Sequence, residues 1–329
     1  MDGAELAERL AGAYRRQAGA AVRIDGLQRL SAGASAETWR FERIVGAGRE
    51  PMILQRFTGE KQFTAALDKR SQGLVQRAAH AAGIATPRVD LILEAADGLG
   101  EGFVSAFVGG ETLGQRITRA AELARARERL TGQCARILAD IHRMDLDGLP
   151  PLPAEAPADM LERLRRAHDG FGVRLPVFEL AFAWLRERLP AVPEPRLVHG
   201  DFRNGNFIVD ADGLVAVLDW EAAHLGDPLE DLGWMCLNAW RFGRIDQPVG
   251  GFGRREELFQ AYEAATGKAV DRRRVRFWEV FGTLRWGIIC QWFGNQFISG
   301  EVPLIERAAI GRRVAETELD LLDLIEGVD

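Results

Sequence analysis

The chain reads as an α+β protein of two unequal lobes, a small strand-rich one followed by a larger helical one. Two observations lead there. Short β-prone stretches lie before Gly109 and Gly110, and long helical patterns lie after them. Strands first and helices later is the order of an α+β fold, not of an alternating α/β one. The length of 329 residues also suits two lobes better than one. The expected division is 1–109 and 110–329.

Residues 3–18 have the spacing of an amphipathic helix. Stretches with β character follow at 26–30, 36–44 and 52–57, separated by glycine and charged turns such as GAGRE. Residues 64–82 read as a helix stopped by Gly83 and Pro87. Two further strands, 88–93 and 102–108, flank a DGLG turn. Helical patterns then occupy 121–143, 157–168 and 177–189, until Pro190, Pro193 and Pro195 break the run. Short strands at 196–198, 206–209 and 214–218 surround an Asp-Gly turn at 212–213. From Pro228 onward the pattern is helical again, at 229–241, 254–265, 272–297 and 303–326.

Composition narrows the function classes. A hydrophobic content of 47% supports a packed core and excludes the signature of disorder. The net charge of −6 lacks the basic excess of a nucleic-acid binder. Cys134, Cys236 and Cys290 are far apart and form no CxxC pair, so they read as reduced thiols of a cytoplasmic protein. The histidines do not cluster with them, and no structural zinc is expected. No apolar run reaches the length of a membrane span, and charges are spread through the first residues, unlike a secretory signal. The basic residues are nearly all arginine. The lysines are Lys61, Lys69 and Lys268.

The chemistry concentrates in 198–233, VHGDFRNGNFIVDADGLVAVLDWEAAHLGDPLEDLG. Asp201 and Asn206 share a loop, and Asp219 ends the second strand of a hairpin that can return it to Asn206. Magnesium takes oxygen ligands and is held by one or two protein groups plus phosphates. An Asn carbonyl and an Asp carboxylate suit it, and a further Asp can accept the proton of an attacking hydroxyl.

HGD-x4-N, followed by LDWE and GDPxxDL, resembles the aminoglycoside phosphotransferase and choline kinase-like family. The resemblance implies a protein-kinase-like two-lobe fold and a small-molecule kinase using ATP and Mg2+. It makes Asp201 the catalytic base, and Asn206 and Asp219 the metal ligands. His199 would hold the loop in shape, and Asp227 and Asp231 would brace the helix that follows. Glu221 faces either substrate or solvent. The first hairpin, LSAGASAETWRF, resembles the family's phosphate-covering loop, with Ser31, Gly33, Ala34 and Ser35 bringing backbone amides to phosphate. FVSAFVGGETL resembles its hinge, with Ala106 and Phe107 against the base.

The family normally pairs a basic residue on the third strand with a Glu on the next helix. Here Gln55 and Gln72 occupy those positions. A unit charge about 4 Å from a phosphate oxygen is worth roughly 4 kcal/mol at an effective dielectric of about 20, so the departure matters. Three readings follow. Arg56 serves after a one-residue slip or bulge; Gln55 pairs with Gln72 in a slower enzyme; or the chain binds nucleotide without turnover. The intact loop favours an active enzyme.

The wording HGDFR…LDWE…LGDPLEDL is most similar to a subgroup associated with acyl-CoA dehydrogenases, which implies a hydroxyacyl thioester as acceptor. Trp278, Phe281, Trp286, Trp292, Phe293 and Phe297 are expected to be core packing, the alternative being an apolar acceptor pocket.

Overall fold

The computed structural model describes residues 2–19, 21–32, 36–57, 66–192 and 194–327. The chain opens with helix α1 (Gly3–Ala18), strands β1 (Arg23–Ala32), β2 (Ala36–Val45) and β3 (Gly48–Phe57), and helix α2 (Lys69–Ala81). Strands β4 (Val89–Ile92) and β5 (Gly102–Ala106) complete one antiparallel sheet in the order β1-β2-β3-β5-β4.

Asp2 caps α1 by accepting the Glu5 amide at 2.9 Å, and Gly19 ends it in the left-handed conformation. Leu6, Leu10, Ala13 and Tyr14 recur at helical spacing and pack on Phe41, Met52, Leu54 and Val104 of the sheet. The β2–β3 ladder runs from Ala36 opposite Phe57 to Val45 opposite Gly48 without a register shift. Strand side chains alternate between faces. Met52, Leu54 and Arg56 therefore share the α1 face, and Ile53 and Gln55 share the other.

Helix α2 begins at Lys69 instead of at 64 because Asp68 caps it. The Asp68 carboxylate accepts the Ser71 amide at 2.7 Å and the Ser71 hydroxyl at 2.8 Å. Gly73 lets α2 lie close on the sheet: a Cβ there would stand 2.6 Å from Ile92 Cδ1 and 2.9 Å from Phe103 Cβ.

The larger lobe holds α3 (Gly114–Arg119), α4 (Ala124–Arg143), α5 (Pro157–Asp169) and α6 (Pro176–Arg186). Then come β6 (Arg196–Val198), β7 (Phe207–Asp210), β8 (Gly213–Val217) and β9 (His224–Gly226). The chain closes with α7 (Leu229–Met235), α8 (Arg255–Thr266), α9 (Arg272–Ile298), α10 (Ile305–Gly311) and α11 (Val314–Glu326). β7 pairs with β8 as a hairpin, and β6 pairs with β9, a three-residue strand that carries no period of its own. The helix expected over 303–326 is two, split by a turn at Arg312 and Arg313 that keeps both pieces against α9. The helix expected over 229–241 ends at Met235, and a 3-10 turn follows at Asn238–Trp240.

Helix α9 is apolar around much of its circumference, as a central helix must be. Val275, Trp278, Phe281, Leu284 and Ile288 are buried in the main core, which also receives Leu138 of α4, Leu232 of α7 and Val75 and Ala79 of α2. Helix α2 thus belongs to both lobes. A further backbone bond joins them, from the Val217 amide to Ala85 at 2.8 Å, and just past the junction Glu111 exchanges two with Val209, at 2.7 and 3.0 Å. Among the described residues no helix is long and apolar enough to cross a membrane.

Candidate active site

The loop between β6 and β7, residues 199–206, is held from beneath. Asp231 of α7 accepts the His199 amide at 2.8 Å on one oxygen and the Gly200 amide at 2.9 Å on the other. His142 of α4 reaches the same carboxylate at 3.1 Å, with its other ring nitrogen 2.8 Å from the Tyr262 hydroxyl. Burial pushes the Asp231 pKa up, but the hydrogen bond and charge of His142, aided by His199, hold it below the usual carboxylate range. Asp231 was expected to brace α7. The structure corrects this, since its oxygens fix the loop. Asp227 does brace the helices, accepting the Leu229 amide at 3.0 Å, Trp278 Nε1 at 2.7 Å and Arg274 at 2.5 and 2.6 Å.

Gly200 turns the loop at a φ of +76°, and a Cβ there would meet the Ala222 carbonyl oxygen at 2.4 Å, so no other residue fits. His199 is buried against Trp220, with ring centroids 4.7 Å apart, and its Nδ1 accepts the Asp201 amide at 3.3 Å. Desolvation holds its pKa below the ordinary imidazole range against the pull of Asp231 and Asp201, which keeps the ring neutral. The ring is a structural prop, as expected.

Asp201 is fixed from three sides. Its Oδ1 accepts Trp234 Nε1 at 2.8 Å and Arg203 Nε at 3.0 Å, and its Oδ2 accepts Asn206 Nδ2 at 2.6 Å. Asn206 Nδ2 also donates to the Asp201 carbonyl at 3.0 Å. With the amide nitrogen so engaged, Asn206 Oδ1 remains as an oxygen donor. The Leu218 amide donates to the Asn206 carbonyl at 2.8 Å, which sets the next residue, Asp219, beside this loop.

Asp219 adopts φ 65° and ψ 69°, a left-handed conformation that is uncommon outside glycine and tends to collect at functional sites. Its Oδ1 accepts Gln72 Nε2 at 3.2 Å. Burial first, then the carboxylates of Glu221 and Asp201, push its pKa up to about 7, against Lys69 and Arg203. Asn206 Oδ1 and Asp219 make a two-oxygen donor set, which suits magnesium. Among the described residues there is no group of three or more His, Cys, Asp or Glu that could hold a metal by itself.

Next to Asp219 a cleft of about 230 Å³ opens under the sheet, lined by Leu30, Thr38, Ile53, Gln55, Ser105, Ala106, Phe107, Val108 and Leu218. Ala106 and Phe107 line it as expected positions, but their amides are engaged, with Arg88 O and Pro51 O, each at 2.9 Å. Val108, which the sequence reading did not single out, lines the same wall. Ser31 pairs with Thr38 at the end of β1. Gly33, Ala34 and Ser35 lie outside the described residues.

Gln55 faces this cleft. Arg56 does not: it is on the α1 face, its Nε 2.7 Å from Glu37 Oε2. The slip that would bring Arg56 into the cleft is not formed, because the ladder with β2 is regular past it. Nor does Gln55 pair with Gln72. Gln72 donates to Asp219 and accepts Lys69 Nζ at 2.8 Å on its oxygen. Lys69 is only 6% exposed, and its Nζ stands 3.6 Å from Glu221 Oε2. Sequence reasoning missed Lys69, Arg203 and Trp234 as site residues. The available signal for Lys69 was its rarity in an arginine-rich chain.

Beyond Asp201, Trp234, Trp240 and Trp286 form a row with centroids 5.4 and 4.9 Å apart. Arg285 lies over Trp234 at 4.7 Å, Arg203 over Trp240 at 4.4 Å and Arg313 over Trp286 at 5.6 Å. Of the six aromatic residues expected in the core, Trp278 and Phe281 are buried there, and Trp286 joins this row instead.

The chain is 43% identical over 65 residues to acyl-CoA dehydrogenase family member 10 of Mus musculus, covering 19% of this chain and 6% of that protein. It is 25% identical over 220 residues to the probable acyl-CoA dehydrogenase IBR3 of Arabidopsis thaliana, covering 58% of this chain and 26% of that one. The chain therefore matches only a minor part of these longer proteins. Among solved structures, a Ralstonia eutropha protein assigned as an aminoglycoside phosphotransferase superposes with a TM-score of 0.76 at 19% identity, covering 97% and 98% of the two chains. A thermostable mutant of the aminoglycoside phosphotransferase APH(4)-Ia, in a ternary complex with AMP-PNP and hygromycin B, superposes with a TM-score of 0.63 at 17% identity, again over 97% and 98%. The two-lobed fold is thus the protein-kinase-like one. The sequence model of the phosphotransferase enzyme family matches residues 26–278, from the first strand through the 199–206 loop and into α9, and the chain belongs to that family.

Proposed function

We propose that the chain is an ATP-dependent, magnesium-requiring phosphotransferase that acts on the hydroxyl of a small molecule. The observation that carries this reading is Asp201, held by Trp234, Arg203 and Asn206, with Asp219 brought alongside through the Leu218–Asn206 backbone bond. Asp201 takes the acceptor's hydroxyl proton. The acceptor oxygen forms a bond to the γ-phosphorus as the bond to the β–γ bridging oxygen breaks, and ADP leaves. Arg203, beside Asp201, adds positive charge where the transferred phosphoryl group passes. Asn206 Oδ1 and Asp219 would hold magnesium, which supplies charge neutralisation on the phosphates. The cleft beside Gln55, Ala106 and Phe107 takes the nucleotide. The use of an ATP analogue by APH(4)-Ia in its complex supports ATP as donor. The setting is cytoplasmic, with no nucleic-acid partner.

The Trp–Arg row bears on the acceptor. A quaternary ammonium ion needs open aromatic faces, and here guanidinium groups cover them. A polycationic acceptor meets the same arginines. A neutral or anionic acceptor fits better, and a hydroxyacyl thioester, suggested by the dehydrogenase relatives, is the leading candidate.

A panel of hydroxyacyl thioesters, hydroxy acids and amino alcohols, assayed for acceptor-dependent ADP release with MgATP, tests the proposal. Release with one class, lost in Asp201→Asn, is expected. Equal turnover in Asp201→Asn removes Asp201 from its role. Nucleotide binding without turnover on any acceptor supports a second reading, a non-catalytic nucleotide-binding module, which the uncharged pair Gln55 and Gln72 favours.

A further inference from the structure

We propose that Lys69 supplies, from the first turn of α2, the phosphate-binding cation that strand β3 lacks. The inference rests on the phosphotransferase reading above. Lys69 Nζ is nearly buried, 2.8 Å from Gln72 Oε1 and 3.6 Å from Glu221 Oε2. An ammonium has three donors, and one well-formed bond and one long ion pair leave capacity for a phosphate oxygen. A single amide, that of Gln72, connects it to Asp219, at 3.2 Å. The ammonium therefore lies beside the group placed to hold the metal.

Arg40 lies over the Phe107 ring, 4.4 Å from its centroid, and three other cations serve elsewhere. Arg56 is on the far face of the sheet with Glu37. Arg203 is engaged with Asp201 on the acceptor side. Lys268 is on the surface near Glu194.

The two glutamines follow from the relocation. Gln72 accepts from Lys69 with its oxygen and donates to Asp219 with its nitrogen, and the ionised carboxylate of a Glu could not donate the second bond. A Glu there would set a carboxylate against Asp219 Oδ1, where the Gln72 amide now donates at 3.2 Å. With an ammonium supplied from α2, strand β3 needs no basic residue at 55, where Gln55 lines the cleft without charge. Glu221, the residue two beyond Asp219, takes the part of counter-ion that the Glu of α2 would otherwise play.

The test is the binding of Mg-AMP-PNP and of adenosine to the wild type and to Lys69→Met, with melting temperatures as a folding control. Loss of one charge-assisted bond predicts Mg-AMP-PNP affinity about 10- to 100-fold weaker in Lys69→Met. Adenosine, which has no phosphate, should bind both alike. The triple variant Lys69→Met, Gln55→Lys, Gln72→Glu should recover most of the Mg-AMP-PNP affinity, because it restores the pair in its usual place. If Lys69→Met does not fold, Lys69→Gln is measured in its place with the same two ligands. Equal losses for adenosine and Mg-AMP-PNP make Lys69 a structural residue and overturn the proposal. Wild-type binding that is undiminished in Lys69→Met overturns the proposal alone. A wild type that binds no Mg-AMP-PNP overturns the phosphotransferase reading together with it.

Discussion

At the scale of single residues, the loop 199–206 depends on one glycine and one carboxylate. Gly200 combines a positive φ with a carbonyl oxygen 2.4 Å from where its Cβ would be. Gly200→Ala should therefore cost about 1–3 kcal/mol of stability in urea melts, and lower turnover beyond that loss because Asp201 is the next residue. Asp201→Asn removes the proton acceptor, together with the charge that pairs with Arg203 and one acceptor oxygen. It should lower kcat by about 10²- to 10⁴-fold while MgATP affinity stays within a few-fold, as read by turnover against nucleotide titration. A parallel loss of affinity would mean that Asp201 supports the nucleotide and not the transfer. The separate placement of Gln55 and Arg56 was legible in strand parity alone, since adjacent residues face opposite ways. Only an allowance for a bulge left Arg56 a candidate, and the regular ladder removes it.

At the scale of elements, one cap and one bracket position the site. Asp68 holds the first turn of α2 through Ser71, and Asp68→Ala should cost about 1 kcal/mol, measured by thermal or urea melts. Because that turn carries Lys69, nucleotide affinity should fall as well. Asp231 binds α7 to the loop through two amides and His142. Its pKa is lowered by folding, so its contribution is full above the unfolded value, about 3.9, and is lost as pH falls through the folded value. Asp231→Asn should destabilise the protein by on the order of 3 kcal/mol at neutral pH and flatten the acid limb of the stability curve. A variant with an unchanged acid limb would assign that limb to other carboxylates. The strand and helix order could be read from periodicity. The start of α2 and the bond from Asp231 to the loop could not: one depends on a cap inside an apparently helical run, the other on a contact between distant segments.

At the scale of the whole molecule, α2 is the element that joins the two lobes. It packs on β4 and β5 through Gly73, enters the main core through Val75 and Ala79, and presents Lys69 and Gln72 to Asp219. The motif block in 198–233 revealed the loop, the hairpin and the carboxylates, because they are close in sequence. The cation was hidden because it comes from more than a hundred residues away and depends on tertiary packing. Nucleotide binding should therefore stabilise both lobes as one cooperative unit, seen as a single melting transition that moves as a whole. The most direct test of the phosphotransfer centre is the melting temperature of the wild type, Asp219→Ala and Asp201→Asn with ATP, with and without magnesium. Ligand at a hundred times its dissociation constant adds about 2.7 kcal/mol of stability. The arrangement predicts a magnesium-dependent upward shift in the wild type and in Asp201→Asn, and its loss in Asp219→Ala. A wild type that ignores MgATP, or an Asp219→Ala variant that responds as the wild type does, would contradict it.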